Sequence, residues 1–403
     1  MEGSRIGDQW LIDQCGALCN YSLNPNGCIE RIVFNGRNQY DLPSGLLALG
    51  GLDHPITVII RNWKNCDLRP FLRSNPNIES LTISSSQLRE LPSEIGNLTR
   101  LKTLFLENVP LTELPNELGD LIALESLTCE NSLLGEIPAS IGQLGRLTHL
   151  QLDNNLFTEI SPIIGSARNL EVLSMANNRI SACPFSMTQF TQLDLFDISY
   201  NPIKGFPLDL SSRSVTSLYL HGLGLKSLPS IVLNFPRIKE LGLSDNNIRA
   251  IPSWLKDCRG LQCLYLERNR IRKIPFWLQD MPSLQVLYLQ GNPFRPPLQQ
   301  FLKAVYRSNE GGLPYLSAGD LALVIANQQD RLIEGIQESL RKNIPVSKLL
   351  DNSLVFIQCA KNAQVFEGIS THAADIFLET LHRGNVMAKR SEEHTSELQS
   401  PNT

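Results

Sequence analysis

The sequence predicts an α/β solenoid: a curved horseshoe with a parallel sheet on its concave face, followed by a small C-terminal helical region. Three observations predict this fold class. A 23-residue pattern of aliphatic residues recurs along most of the chain, asparagine and proline recur in step with it, and the pattern breaks after Asn292. Because one copy cannot bury its own apolar face, the copies are expected to stack.

Each copy opens on an aliphatic residue, and successive openers lie 23 residues apart except for the step from Leu193 to Val215, which is 22. The openers are Leu101, Leu124, Leu147, Leu170, Leu193, Val215, Ile238, Leu261 and Leu284. The L-x-L stretch that follows each opener is expected to form a strand, since alternate strand residues face opposite sides. Stacking then buries about seven side chains per copy, at roughly 1.5–3 kcal/mol for each.

Proline and asparagine define the rest of each copy. Prolines at 92, 115, 138, 184, 207, 229, 252 and 275 are expected to begin the return segments, because proline cannot donate to a ladder, and Ser161 stands in one copy instead. A buried asparagine amide is expected to bond the free backbone groups of the turn after the strand. The residues at this position are Asn155, Asn178, Asn201, Asn246, Asn269 and Asn292.

The complete phrase, L-x-x-L-x-L-x-x-N-x-L-x-x-L-P-x-x-I-x-x-L-x-x, resembles the leucine-rich repeat. The L-P-x-x-I/L-G-x-L phrases at Leu91, Leu114 and Ile137 are similar to those of Ras-suppressor-like and plant intracellular Ras-group repeat proteins. The resemblance covers roughly residues 78–300. It implies a role in binding signalling proteins, but it names no partner, since a fold does not dictate its sites.

The chain is expected to divide around this array. The segments are an N-terminal cap at 1–28, two degenerate repeats at 29–77, regular repeats at 78–300, a C-terminal cap at 301–316, a helical region at 317–389 and a tail at 390–403. Ser317 is the expected N-cap of the first helix. The first cap contains Cys15, Cys19 and Cys28, and the sequence leaves their oxidation state open.

The tail is expected to be an artefact. The segment from Arg390 to Ser400, RSEEHTSELQS, is the codon-for-codon translation of DNA that resembles a common sequencing-library adapter. Such segments are left out of fold reasoning. We therefore expect the natural C-terminus, and any further domain, to lie beyond Lys389.

Composition narrows the function classes. Hydrophobic residues make up 42% and charged residues 19% of the 403 residues, which is typical of a globular protein. The net charge of −4 implies no strong electrostatic attraction to nucleic acid or to an anionic membrane, and no nucleic-acid partner is expected. No aliphatic run is long enough to span a bilayer, and no secretory signal is visible at the N-terminus. The nine scattered cysteines favour a reducing cytoplasm, and we expect a monomer.

No enzyme is predicted. Phosphate-binding loop, H-E-x-x-H, G-x-S-x-G and kinase motifs are missing from the sequence, and the six histidines are dispersed. Cys359, the one cysteine past the array, lies in an apolar segment and is interpreted as a buried structural thiol. No catalytic residue, metal site or cofactor is therefore expected.

The predicted function resides on the concave surface, where the residues between the inward leucines should form columns about 4.8 Å apart from strand to strand. Three carboxylates form an acidic ladder beside a phenylalanine, and three tyrosines form an aromatic stripe. The predicted partner-binding residues are Phe105, Glu107, Glu130, Asp153, Tyr219, Tyr265, Glu267 and Tyr288.

Three function classes compete. The favoured one is an intracellular scaffold that binds a protein partner, such as a small GTPase or another signalling protein. The second is an extracellular recognition domain, because Leu134 to Pro138 fits the plant L-x-G-x-I-P signature and Asn20 and Asn97 lie in glycosylation sequons. The third is the N-terminal part of a larger enzyme, such as a kinase or a ubiquitin ligase.

Overall fold

A computed structural model describes residues 19–25, 28–36, 47, 49–52, 54–64, 67–182, 187–207, 210–294 and 316–317. All of them belong to one unit of the chain, which comprises Met1–Phe294 and Arg307–Ala318. The predictions for residues 1–18, for most of the C-terminal cap, for the helical region beyond 317 and for the tail lie outside the described residues. Every helix among the described residues is too short or too polar to cross a lipid bilayer.

The described strands form one sheet of fourteen and follow one another in chain order. They are β1 Cys19–Leu23, β2 Ile29–Asn35, β3 Ile56–Arg61, β4 Ile78–Ser84, β5 Thr103–Glu107, β6 Ser126–Glu130, β7 His149–Gln151, β8 Val172–Ser174, β9 Leu195–Asp197, β10 Ser217–Tyr219, β11 Glu240–Gly242, β12 Cys263–Tyr265, β13 Val286–Tyr288 and β14 Leu316–Ser317. All neighbours from β2 to β13 are parallel. The predicted parallel repeat sheet is confirmed.

The two end strands differ from this pattern, since β1 pairs antiparallel with β2, and β14 pairs antiparallel with β13. Only five residues, 24–28, separate β1 from β2, and a parallel pairing would need a crossover of a dozen or more residues. Ser317, the predicted helix N-cap, is the last residue of β14.

The inward leucines form one continuous core, as predicted. In the repeat that opens at Leu101, the inward side chains have no solvent exposure: Leu101, Leu104, Leu106, Leu111, Leu118 and Leu121. Cys129 lies in the same core and is also fully buried. Strand β5 alternates between buried and half-buried side chains, so one face packs on the core and the other meets solvent.

The return segments contain short helices on the side away from the sheet face. One α-helix turn, α1, spans Arg69–Ser74, and the other helices whose bounds the structure describes are 3₁₀ helices. Their bounds are Leu49–Gly51, Ser93–Asn97, Asn116–Asp120, Ala139–Gln143, Pro162–Ser166, Met187–Gln189, Ser230–Asn234, Ser253–Asp257 and Phe276–Asp280. As predicted, a proline in extended conformation, or Ser161, caps the 3₁₀ helix at 92, 115, 138, 161, 229, 252 and 275.

The asparagine prediction is confirmed in bond-by-bond detail. The Nδ2 of Asn269 donates to the carbonyls of Leu243 at 2.8 Å and Leu266 at 3.2 Å, and its Oδ1 accepts from the Ile248 amide at 3.0 Å. Five other asparagines bond in the same way: Asn155, Asn178, Asn201, Asn246 and Asn292. Where serine takes the position, the Ser132 hydroxyl still donates to the Val109 carbonyl at 2.6 Å. These amides fix each repeat against the one before it.

Candidate functional site

The strand register builds the sheet face from columns of side chains. One column joins matching residues of ten successive strands: Thr82, Phe105, Thr128, Gln151, Ser174, Asp197, Tyr219, Gly242, Tyr265 and Tyr288. Alternation along the strands predicts this column correctly, including the step across the 22-residue repeat. Phe105, Tyr219, Tyr265 and Tyr288 are all half-buried on this face.

A second column lies two residues further along each repeat and carries the acidic ladder. Glu107 and Glu130 are direct partners in the β5–β6 register. Burial raises the pKa of Glu130, and the charges of Asp153 and Glu107 raise it further. The structure therefore brings the three predicted carboxylates close enough to repel one another.

The side chain of Asp153 is held by hydrogen bonds to the next repeat. Its Oδ1 accepts hydrogen bonds from the Ser174 hydroxyl and from the Ala176 amide, both at 2.6 Å. Burial raises its pKa, and these two bonds oppose that effect. Glu107 and Glu130 are consequently the two ladder carboxylates that are most available to a partner.

An aromatic cluster occupies the other end of the face. The rings of Tyr265 and Tyr288 are stacked, with centroids 4.7 Å apart and planes 7° apart. Tyr219 meets Tyr265 edge-on at 6.2 Å and stacks on His221 at 5.6 Å. Tyr200 stacks on His221 at 6.5 Å. We call these five residues the aromatic cluster.

Sequence reasoning identified the three tyrosines of one column but missed Tyr200 and His221. His221 lies in the second column, and its side chain leans across to the first. The available signal was its position two residues after Tyr219, which places both on the same strand face. The side chain of His221 can take this orientation because the next repeat has a glycine, Gly242, at the adjacent position.

Gly242 explains how the cluster closes. It occupies the column position between Tyr219 and Tyr265 and has no side chain. A Cβ at Gly242 would collide with the imidazole of His221 and with Cδ1 of Tyr219, at 2.6 Å from the latter. The absence of a side chain lets rings from both sides lean over this backbone, so the cluster is formed before any partner arrives.

Carboxylates border the aromatic cluster. The Tyr219 hydroxyl donates to Oε2 of Glu240 at 2.6 Å, and burial, followed by this bond, raises the pKa of Tyr219. Asp197 precedes Tyr219 in the column, and burial raises its pKa to about 6. The rings thus lie in a negative electrostatic field.

Glu267 does not lie on the exposed face. The residue is 1% exposed, and its carboxylate accepts a hydrogen bond from the Ser244 hydroxyl. Column position predicts which face a residue is on, but here the side chain folds back under its neighbours. Glu267 supports the turn after β11 and is not available as a contact residue.

A third column was not predicted, and it consists of residues with positive φ, one after each strand. Its members are Asn62, Ser85, Asn108, Asn131, Asn154, Asn177, Tyr200, Gly222, Asp245, Arg268 and Gly291. Asparagine and glycine tolerate this left-handed conformation, whereas tyrosine and arginine rarely adopt it. Arg268 forms a two-pronged ion pair with Asp245, and this pair lowers the pKa of Asp245.

No metal centre accompanies these groups: within the described ranges, no three His, Cys, Asp or Glu side chains are placed to hold an ion. What the face offers is a rigid surface with one acidic part and one aromatic part. Such a surface suits the binding of another molecule.

Two protein-family models match the chain: a leucine-rich repeat region model over residues 81–202 and a leucine rich repeat model over residues 236–294. No curated protein matches its sequence. Among solved structures it is similar to TLR13 in the TLR13–ssRNA13 complex, at 20% identity and a TM-score of 0.52, over 65% of this chain and 39% of that one.

Two further structures are similar to the chain at lower scores. The internalin inlF of Listeria monocytogenes is 19% identical with a TM-score of 0.46, over 66% of this chain and 82% of that one. The receptor kinase ectodomain GASSHO1/SCHENGEN3 of Arabidopsis thaliana is 20% identical with a TM-score of 0.45, over 74% of this chain and 46% of that one. The chain thus spans less than half of the TLR13 and GASSHO1 chains. Together with the strand register and the asparagine turns, the two family matches show that the chain contains leucine-rich repeats over residues 81–202 and 236–294.

Proposed function

We propose that this protein is a non-enzymatic scaffold that binds a partner protein on its concave sheet face, in intracellular signalling in the cytoplasm. The observation that carries the proposal is the preformed aromatic cluster on a face held by parallel register from β4 to β13. Partly exposed tyrosines on a rigid support give contact area at a low cost in conformational entropy. Leucine-rich repeat domains are typically modules of this kind.

The proposed contact residues are those that the structure leaves on the face. They are Phe105, Glu107, Glu130 and Asp153 in the acidic part, and Tyr219, Tyr265 and Tyr288 in the aromatic part. Glu267 is left out because it is buried. The phrases at Leu91, Leu114 and Ile137, similar to those of intracellular Ras-group proteins, support a small GTPase or another signalling protein as partner.

A photo-crosslinking amino acid tests the location. Placed at Phe105 or Tyr288, it should capture a discrete partner from cells, and the partner is then identified by mass spectrometry. The matched control places it at Leu233, which is 42% exposed in the Ser230–Asn234 return segment. Capture from Leu233 without capture from the concave positions would contradict the proposal.

An extracellular recognition role is the second candidate, and one observation favours it. Asn97 and Asn20 both stand in N-x-S/T sequons and are exposed. Expression through a secretory pathway, followed by glycosidase treatment and a count of free thiols, separates the two roles. A glycan on Asn97 together with a disulfide between two of Cys15, Cys19 and Cys28 would favour the extracellular role.

A further inference from the structure

The concave face is more acidic than the chain as a whole. Four positions per repeat face this side between β4 and β13: those that match Thr103, Phe105 and Glu107 of β5, and the left-handed one after them, and all of them are described. Apart from the buried Glu267, they carry six carboxylates against one guanidinium: Glu107, Glu130, Asp153, Asp197, Glu240 and Asp245, against Arg268. The entire sequence has a net charge of only −4. A face with this excess attracts a cationic partner and repels an anionic one.

The single guanidinium on this face is already neutralised. Arg268 is paired with Asp245, so neither contributes a free charge. By contrast, the charge effects on Glu130 from Asp153 and Glu107 are repulsive, and no described cation relieves them. The acidic part therefore lacks the positive charge that would stabilise it.

The two parts of the face are separated by a stretch of small side chains. Between Asp153 and the aromatic cluster, β8 and the turn after it present Ser174 and Ala176, and β9 is followed by Ser199. Ser174 and Ser199 are themselves buried. An extended chain can cross here close to the sheet and then reach the tyrosines.

We propose that the partner docks through an extended segment of about a dozen residues, with arginine or lysine side chains over Glu107 and Glu130 and apolar side chains against Tyr219, Tyr265 and Tyr288. This inference rests on the proposed function and adds the chemistry of the partner. The length follows from geometry: β5 to β13 spans eight strand spacings, or roughly 38 Å at about 4.8 Å each, and an extended chain rises about 3.3 Å per residue. Alternate residues of the segment face the sheet.

The test uses a fluorescein-labelled twelve-residue peptide with alternating arginine and serine in one half and alternating leucine and serine in the other, made in both chain directions. Binding is followed by fluorescence anisotropy. The peptide should bind, and a twin with glutamate in place of arginine should not. Raising the salt concentration from roughly 50 to roughly 500 mM shortens the electrostatic screening length about threefold and should weaken binding.

Matched variants locate the charge effect. The double variant Glu107→Gln with Glu130→Gln should bind the arginine peptide about tenfold more weakly at low salt, as expected for the loss of two partly exposed charge pairs. Glu113→Gln with Glu117→Gln changes the net charge equally on the return segment of the β5 repeat, where both side chains are exposed, and should leave binding unchanged. Equal weakening by the two double variants would overturn the inference, because it would show non-specific attraction.

A selection from a random twelve-residue peptide library separates this inference from the proposed function. Selected peptides that are basic and apolar, and that no longer bind the double variant Tyr265→Ala with Tyr288→Ala, support both the inference and the proposed function. Selected peptides that require these tyrosines but carry no basic residues overturn the inference and leave the concave binding surface intact. Peptides whose binding depends neither on the tyrosines nor on Glu107 and Glu130 overturn both. If the protein binds single-stranded RNA more tightly than the basic peptide, the inference of a cationic partner is also overturned.

Discussion

The hydroxyl of Tyr200 donates a hydrogen bond to Oδ2 of Asp245 at 2.6 Å, although 45 positions separate the two residues. Gly222 occupies the same left-handed position in the repeat between them, and the Tyr200 ring lies in the space that its missing side chain leaves. Arg268 of the following repeat donates to the same carboxylate. Four consecutive repeats are thus joined along one edge of the concave face.

This relationship predicts that Gly222→Ala will be more destabilising than Gly224→Ala. Both glycines have positive φ, at +63° and +72°, so each alanine costs about 1–2 kcal/mol for the left-handed backbone. Only the Cβ at Gly222 meets the Tyr200 ring, whereas the Cβ at Gly224 has open space. We expect a further loss of about 1–3 kcal/mol at Gly222, measured by urea unfolding.

A double variant checks the cause of that difference. Tyr200→Ser in the Gly222→Ala background removes the colliding ring. Most of the unfolding free energy lost through the collision should therefore be regained. Equal stabilities of Gly222→Ala and Gly224→Ala would show that the ring moves aside without cost.

The asparagine turns give a prediction with a neighbouring control. The Nδ2 of Asn246 donates to the carbonyls of Leu220 at 2.9 Å and Leu243 at 3.0 Å, and its Oδ1 accepts from the Leu225 amide at 2.9 Å. Asn246→Ala leaves these buried groups without partners and should cost about 3 kcal/mol, since each unsatisfied group costs about 1–3 kcal/mol. Asn247→Ala keeps its backbone bond to Leu225 and should cost less than about 0.5 kcal/mol. Similar unfolding midpoints for the two variants would contradict the role given to the amide.

The sequence could predict the repeat sheet and the columns because both follow from a period. A 23-residue spacing sets which residues meet across neighbouring strands, and alternation sets their face. Phe105 therefore lies between Thr82 and Thr128, one repeat before it and one repeat after it. The 22-residue repeat does not disturb this, because the missing residue lies outside the strand: Leu218 still pairs with Phe196.

Side-chain direction within a column could not be predicted from the period. Asp153 turns toward Ser174, and Glu267 is buried under the turn, because each finds a hydrogen-bond donor that its own repeat does not supply. His221 leans over Gly242 because that repeat offers an empty space. Such choices depend on the neighbouring repeat's side chains, and they differ from copy to copy. The antiparallel end strands were missed for a related reason, since no neighbouring repeat exists there to impose the pattern.

Asp197 should make the protein less stable at neutral pH than at pH 4. Burial raises its pKa from 3.8 to about 6, although its carboxylate accepts a hydrogen bond from the Ser199 amide at 2.8 Å. A carboxyl with a raised folded-state pKa stabilises the folded state below pH 4 and loses that contribution as the pH rises through 6. Asp197→Asn keeps the acceptor oxygen and should raise stability at pH 7 by about 1–2 kcal/mol, after allowance for partial exposure.

The expected gain from Asp197→Asn should vanish at pH 4, where the aspartic acid is neutral. Thermal unfolding at pH 4, 6 and 8 measures this dependence. Asp257→Asn, at an exposed position of the Ser253–Asp257 helix, makes the same substitution without the burial and should change little. A gain that is the same at all three pH values would assign the effect of Asp197→Asn to packing rather than to charge.

His221 should resist protonation until well below neutral pH. Burial lowers its pKa from 6.5 to about 4; the charge of Asp245 opposes this shift and that of Arg268 adds to it. Its Nδ1 accepts a hydrogen bond from the Ser244 amide at 3.0 Å, so the neutral ring carries its proton on Nε2. An NMR titration of the imidazole should therefore give a midpoint near 4 in the folded protein and about 6.5 in urea.

The sign of the accompanying stability change is opposite to that of Asp197. A base with a depressed folded-state pKa contributes stability that is complete above pH 6.5 and is lost as the pH falls toward 4, because the unfolded state binds the proton first. His221→Asn supplies an acceptor oxygen in place of Nδ1 and does not titrate, so it should flatten the acid side of the stability profile. Because His221 stacks on both Tyr200 and Tyr219, its protonation should also loosen the aromatic cluster. If the imidazole titrates near 6.5 in the folded protein, the ring is not buried among the tyrosines, and the cluster is not formed in advance of a partner.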